Sequence, residues 1–253
     1  MTIKRLVRAS LRWLGIELRR YIPERDPVYA LGALVRGVNP TVFVDAGCNR
    51  GQFYREFIMP IHHHWTRTVF IDPIREAVED VRSRAKDHDV TGEYHACALG
   101  AEEGEVQLNI SGRETSSSLF RVTEASTARI DDTRVRETRN VQIRRLDRLL
   151  GKPGSQDRAF MKLDVQGAEN DVLDGAGEWL SYADILRVEL SNVELYERQA
   201  LAPELLHRLW TAGFVIAQVD PGWVDKETGV QLQWDVTVVK SDCLANLMKM
   251  RTQ

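Results

Sequence analysis

A chain of 253 residues suits one large α/β domain better than two independent ones. Its formal net charge of −3 gives no general attraction to nucleic acid, and its 43% apolar share is enough for a sizeable core. Cys48, Cys97 and Cys243 are far apart and form no C-x-x-C pair, which reads as reduced thiols in a cytoplasmic protein, and no apolar run approaches the ~20 residues that span a bilayer.

Residues 1–40 are predicted as an N-terminal basic amphipathic helical segment. Lys4, Arg5, Arg8, Arg12, Arg19 and Arg20 face only Glu17, while Ile3, Val7, Leu11, Leu14 and Leu18 recur at helical spacing. The arginines interrupt the apolar residues, so no continuous signal-peptide stretch forms. Such a helix suits peripheral contact with an anionic membrane, or packing on the domain or on a second subunit in a homo-oligomer.

From residue 41 the pattern becomes regular. Thr41–Asp45 reads as a buried strand entering a glycine turn, and Gln52–Met59 as a helix stopped by Pro60. Thr68–Asp72 repeats the strand, and Pro73 opens a helix whose inner face is Ile74, Ala77, Val78 and Val81. Gly92–Ala98 and Val106–Ile110 read as further strands, and residues 111–140 as a polar surface insertion without clear period. Order returns at Val141–Leu150, with a core strand at Ala159–Asp164 and one helix over Gly167–Leu180. A strand at Ile185–Leu190, a helix at Pro203–Thr211 and a strand pair at Phe214–Val219 and Leu232–Val239 close a domain over 41–241, leaving 242–253 as a tail. The alternation predicts an α/β fold, with a mostly parallel sheet covered on both faces and an antiparallel strand near one edge.

Chemistry concentrates in three segments. Asp45-Ala46-Gly47-Cys48-Asn49-Arg50-Gly51 has the strand, glycine turn and helix start of a nucleotide-binding unit. Its spacing is G-x-x-x-G, not the G-x-G-x-x-G of an NAD site, and no Gly-Lys-Ser/Thr follows. A carboxylate in that turn suits a cationic ligand better than a pyrophosphate; S-adenosylmethionine carries a sulfonium and an ammonium. Asp72, at the next strand end, stands where such folds hold ribose hydroxyls, and is equally an N-cap for the helix at Pro73. The third segment is Phe160-Met161-Lys162-Leu163-Asp164-Val165-Gln166-Gly167-Ala168-Glu169.

Together VDAGCNRGQF, FIDP, ALG, VQIRRLDRLL, MKLDVQGAENDVLDGA and LRVELSNVELY resemble the FkbM methyltransferase family over roughly residues 41–240. The resemblance implies a Rossmann-like class I methyltransferase fold and transfer of a methyl group from S-adenosylmethionine to a hydroxyl of a small molecule or glycan. It also implies that Asp45, Gly47, Asn49, Gly51 and Gln52 line the methionine half of the cofactor, Asp72 holds the ribose, and Ala98 and Leu99 lie by the adenine. Two departures stand out: Asp72 where the family usually has Glu, and Gln166 where D-V-E-G-A-E has its first Glu.

A hydroxyl is a poor nucleophile at neutral pH, so a base or a divalent metal such as Mg2+ is expected to assist. Asp164 and Glu189, at neighbouring strand ends, are the candidate catalytic acids. Asp164 is equally read as an ammonium contact or helix cap, and Glu189 as a structural ion pair with Arg187 or Lys162. His62-His63-His64 reads as a solvated loop, since adjacent residues cannot all face one ion, and His95 as a core histidine or alternative base. Ser116, Ser117 and Ser118 are candidates to close over the ligand, and Trp223 and Trp234 to flank the acceptor. An NAD(P)-dependent oxidoreductase and a non-catalytic cofactor-binding scaffold remain the competing readings.

Overall fold

A computed structural model describes residues 22, 26–87, 90–112, 117–127 and 134–250. The Met1–Arg20 stripe and Ser116 lie outside the described residues. Helix α1, Pro27–Val38, is capped by Asp26, whose side chain accepts from the Val28 and Tyr29 amides at 2.9 and 3.1 Å. The strands are β1 Val42–Ala46, β2 Arg67–Asp72, β3 Glu93–Ala96, β4 Ala98–Leu99, β5 Gly104–Ser111, β6 Val135–Arg144, β7 Ala159–Leu163, β8 Ala183–Ser191, β9 Phe214–Pro221 and β10 Gln233–Lys240. A seven-stranded sheet runs in the order β3-β2-β1-β7-β8-β10-β9; β10 is antiparallel to both neighbours and the other pairings are parallel.

The pleat sends alternate residues to two cores. Val42, Val44 and Ala46 pack beneath α5 (Glu169–Gly175), α6 (Trp179–Tyr182) and α7 (Ala202–Thr211), through Val172, Leu173, Trp179, Leu205 and Leu209. On the opposite face Phe43, Phe160, Ile185 and Val239 form a row against Leu31, Leu34, Val35 and Val38 of α1. Helix α2, Arg75–Asp87, buries Ala77, Val78 and Val81, and the short helices α3, Glu124–Thr127, and α4, Leu146–Leu150, follow it in the chain.

The register builds a second row on the α1 face. Asp45 stands opposite Lys162, Lys162 opposite Arg187, and Arg187 opposite Thr237. Two residues nearer the sheet's functional edge come Gly47, Asp164, Glu189 and Asp235. Three alternating triplets, Phe43-Asp45-Gly47, Phe160-Lys162-Asp164 and Ile185-Arg187-Glu189, thus give an apolar row, a charged row with two cations, and an acidic rim.

Several elements differ from the sequence-based reading. Residues 135–140, expected within an irregular insertion, form the first part of β6, antiparallel to β5 in a small three-stranded sheet ordered β4-β6-β5. Residues 135–140 stand in solvent and are mostly polar, so they show no apolar alternation, whereas Leu108 of β5 and Val141 of β6 are buried. The stretch 92–98 divides between two sheets at Cys97. Residues 167–180 form two short helices, because Gly177 turns the chain at φ 53° and Gly175 packs on the Gly100 carbonyl, where a Cβ would come within 2.1 Å. The segment after Gly51 is a π-helical turn, Tyr54–Ile58, and a 3-10 turn, Met59–Ile61. Of the expected tail, Ser241–Met250 is helix α8, whose Leu247 fits over Gly37 of α1.

Candidate active site

The turn after β1 is pinned before any ligand arrives. The Gly47 and Cys48 amides both donate to Ile71 O of β2, at 2.9 and 3.0 Å. Gly47 has φ 72°, and a Cβ there would lie 1.8 Å from Asp164 O, so only glycine fits between the β1 and β7 ends. Asn49, at φ 46°, aims its amide at Asp72 Oδ2, 2.8 Å away, and Asp72 Oδ1 accepts from the Ile74 amide at 2.8 Å. Asp72 therefore caps the start of α2, yet each oxygen keeps a lone pair for a further donor. Burial pushes its carboxyl up to about 6, against the two backbone donors and Lys162.

Asp45 lies below this turn, fully buried. Its neighbour is Lys162, whose Nζ is 3.2 Å from Asp45 Oδ1, 3.3 Å from Asp164 Oδ2 and 2.6 Å from Gly47 O, to which it donates. Burial raises the Asp45 carboxyl and Lys162 opposes the rise. The loop after β7 is organised by Glu169, a buried carboxyl accepting from the Val165 and Gly167 amides at 2.9 and 3.1 Å. Desolvation pushes Glu169 up to about 7. Gln166, held at φ 54°, donates from Nε2 to Asp164 Oδ1 at 2.7 Å and to Glu189 Oε2 at 3.1 Å, and accepts from the Tyr196 hydroxyl at 2.6 Å. Glu189 Oε2 also accepts from Gln233 Nε2 at 2.9 Å. Burial, then the neighbouring acids Asp164, Glu169 and Asp235, hold Glu189 well above the usual carboxylate range.

Beside it, Arg187 donates to Asp220 at 2.5 Å and to Asp235 at 3.0 Å, and its guanidinium lies 5.3 and 5.6 Å from the Phe53 and Phe57 ring centres. Ser118 closes one side: its hydroxyl donates to Gln166 O at 2.5 Å while its backbone pairs with Asn109.

A cavity of about 320 Å³ opens between these groups. Of the sequence-predicted residues, Gly47, Asn49, Gln52, Asp72, Ala98, Leu99 and Asp164 line it. Asp45, Gly51 and Glu189 are not among its lining residues; Asp45 stands beneath it and Glu189 beside Asp164. Ser117 and Ser118 line it, whereas His95, Trp223 and Trp234 do not. His95 sits 3.5 Å from Glu93, and His63 Nε2 lies 2.7 Å from Pro40 O with its ring edge-on to Trp65. Glu189 has its hydrogen bonds from Gln166 and Gln233, not an ion pair with Arg187 or Lys162. Among the described residues no group of three His, Cys, Asp or Glu is spaced to hold a metal ion.

Sequence reasoning missed Phe53, Phe57, Arg187 and Asp235 as cavity residues, and the part Lys162 plays. For Lys162 and Arg187 the signal was an ionisable residue set among apolar ones in strands that otherwise read as buried.

A parallel sheet with a reversed penultimate strand, a glycine turn after the first strand and an acid after the second defines the Rossmann-like fold of class I methyltransferases. The chain belongs to the FkbM methyltransferase family, whose domain model matches residues 45–216. Among curated proteins it is similar to the 2-O-methyltransferase NoeI of Sinorhizobium fredii, 40% identical over 60 residues. That match spans 24% of this chain and 25% of the relative's length. Among solved structures it is similar to Methyltransferase FkbM from Methylobacillus flagellatus KT, with TM-score 0.47, 15% identity, and coverage of 79% of this chain and 44% of that one. It is also similar to a putative methyltransferase from Streptococcus mutans in complex with SAH, with TM-score 0.46, 9% identity, and coverage of 85% and 98%.

Proposed function

We propose that the chain is an S-adenosylmethionine-dependent O-methyltransferase acting on a hydroxyl of a small molecule or glycan. The observation that carries this reading is one cavity lined both by Asp72 with the Gly47 turn and by the open carboxylate of Asp164. The residues present suit the cofactor. Asp72 has lone pairs left for two ribose hydroxyls, Ala98 and Leu99 offer apolar surface to an adenine, and Gly47, Asn49 and Gln52 line the side left for the methionine end. Asp45 lies beneath that side, paired with Lys162, and Gly51 closes the turn by donating its amide to Cys48 O at 2.8 Å. The local charge also suits a cation, since Asp45 and Asp164 share the single ammonium of Lys162.

When bound, S-adenosylmethionine supplies a methyl group already activated on sulfonium, so orientation is the protein's main task. Asp164 is the group that takes the acceptor's proton: it lines the cavity, and Gln166 and Lys162 fix both its oxygens. Glu189 supports it through the shared Gln166 amide, and its raised carboxyl favours the protonated form. The partial likeness to the 2-O-methyltransferase NoeI supports an oxygen acceptor.

The test is calorimetry followed by turnover. S-adenosylmethionine and its demethylated product are expected to bind and NAD to give no heat; methyl transfer to a panel of sugars and small alcohols then separates an enzyme from a scaffold. Chelation followed by added Mg2+ reports whether a metal assists. Absence of cofactor binding would overturn the reading.

A further inference from the structure

Lys162 stands where three parts of the pocket meet. It is the fourth residue of β7, directly opposite Asp45 on β1 and Arg187 on β8. Its side chain is 7% exposed, yet it lines the cavity. Its ammonium donates to the Gly47 carbonyl at 2.6 Å and pairs by charge with Asp45 Oδ1 at 3.2 Å and Asp164 Oδ2 at 3.3 Å. Gly47 and Asp164 meet at the ends of β1 and β7, where the Asp164 amide donates to Ala46 O at 3.1 Å, and both line the cavity.

We propose that Lys162 is a positioning residue of the cofactor pocket, holding the Gly47 carbonyl and the Asp164 carboxylate in fixed orientation. The proposal rests on the reading of this cavity as the S-adenosylmethionine site. Lys162 acts through Gly47 and Asp164 and needs no contact of its own with the cofactor. The competing account is that it serves only as counter-charge to Asp45, which is fully buried.

The two accounts separate in a background where Asp45 carries no charge. S-adenosylmethionine binding is measured by calorimetry for the wild type, for Asp45→Asn, and for Asp45→Asn combined with Lys162→Met, with melting temperatures recorded alongside. A positioning role predicts that removing Lys162 in the Asp45→Asn background weakens binding at least tenfold, with the melting temperature held within a few degrees. A counter-charge role predicts affinities within twofold of each other in that background, which would overturn the proposal. If the double variant melts far below its parent, Lys162→Gln replaces Lys162→Met; its shorter amide cannot span all three partners, and the same tenfold and twofold outcomes apply. A wild type that binds no S-adenosylmethionine overturns the cavity reading and this inference together, whereas binding by the wild type with no loss on removing Lys162 overturns this inference alone.

Discussion

Asp72 answers two demands with one carboxyl group. It caps α2 and holds the Asn49 amide, and in the proposed site it also receives the ribose hydroxyls. Its folded value of about 6 lies above the ordinary 3.8, so the ligand-free fold loses this group's stabilisation as pH rises through about 6. The ribose donors need the ionised form, so cofactor affinity should fall between pH 7.5 and pH 5. Calorimetry on Asp72→Asn should show affinity at least ~tenfold weaker at pH 7.5 and no such pH dependence. The two acids at the rim should behave differently. Asp164→Asn is expected to cut turnover by ~10²–10⁴-fold, a far larger loss than in cofactor affinity. Glu189→Gln, near-isosteric with a protonated carboxyl and still able to accept from Gln166 and Gln233, should stay within about tenfold of wild type. Equal losses in steady-state kinetics would return Glu189 to the chemistry. Asp72 was legible because a strand-end acid before Pro73 is a local signal; the choice between Asp164 and Glu189 was not, because it depends on which carboxyl faces the cavity.

At the level of elements, charged side chains hold strand to strand. Arg187 on β8 joins Asp220 on β9 and Asp235 on β10, with 6% of its own side chain exposed. Arg187→Met leaves both acids without their cation. Because Asp235 keeps about a third of its side-chain exposure, the expected loss is about 2–3 kcal/mol, below the usual cost of breaking a fully buried pair, read as a lower denaturation midpoint. The segment at 117–127 is latched on two sides: Ser118 to Gln166 O and Asn109, and Thr123 to the Glu194 and Leu195 carbonyls. Ser118→Ala should speed amide exchange at residues 117–120, where the Phe120 amide also donates to the Ser118 hydroxyl. Unchanged exchange would remove the hydroxyl from the latch. The main strands and their order of appearance could be read from β-branched runs ended by Asp, Gly or Pro. Residues 135–140 of β6 could not, because they pair non-locally with β5 and their side chains face water.

For the whole molecule, no described helix is long and apolar enough to cross a membrane. Residues 1–20 carry their apolar stripe and arginines as a proposal for peripheral membrane contact. The full chain should co-sediment with anionic liposomes at low salt and release at high salt, and removal of residues 1–20 should abolish this. A shortened chain that instead changes its mass in light scattering would assign the stripe to packing within the protein or between subunits.

What the sequence determined by itself is local: the strand–turn–helix punctuation, the family motifs, and the acids at strand ends. These are written in neighbouring residues, through propensity, capping and the period of two along a strand. The sheet order, the pairing of β5 with β6, and the row Asp45–Lys162–Arg187–Thr237 were decided by register between strands as far as 192 positions apart in sequence, from Asp45 to Thr237. A buried lysine or arginine can choose among several acids. Which acid it neutralises, and which is left open to the cavity, is a matter of a few ångströms that only the packed sheet sets.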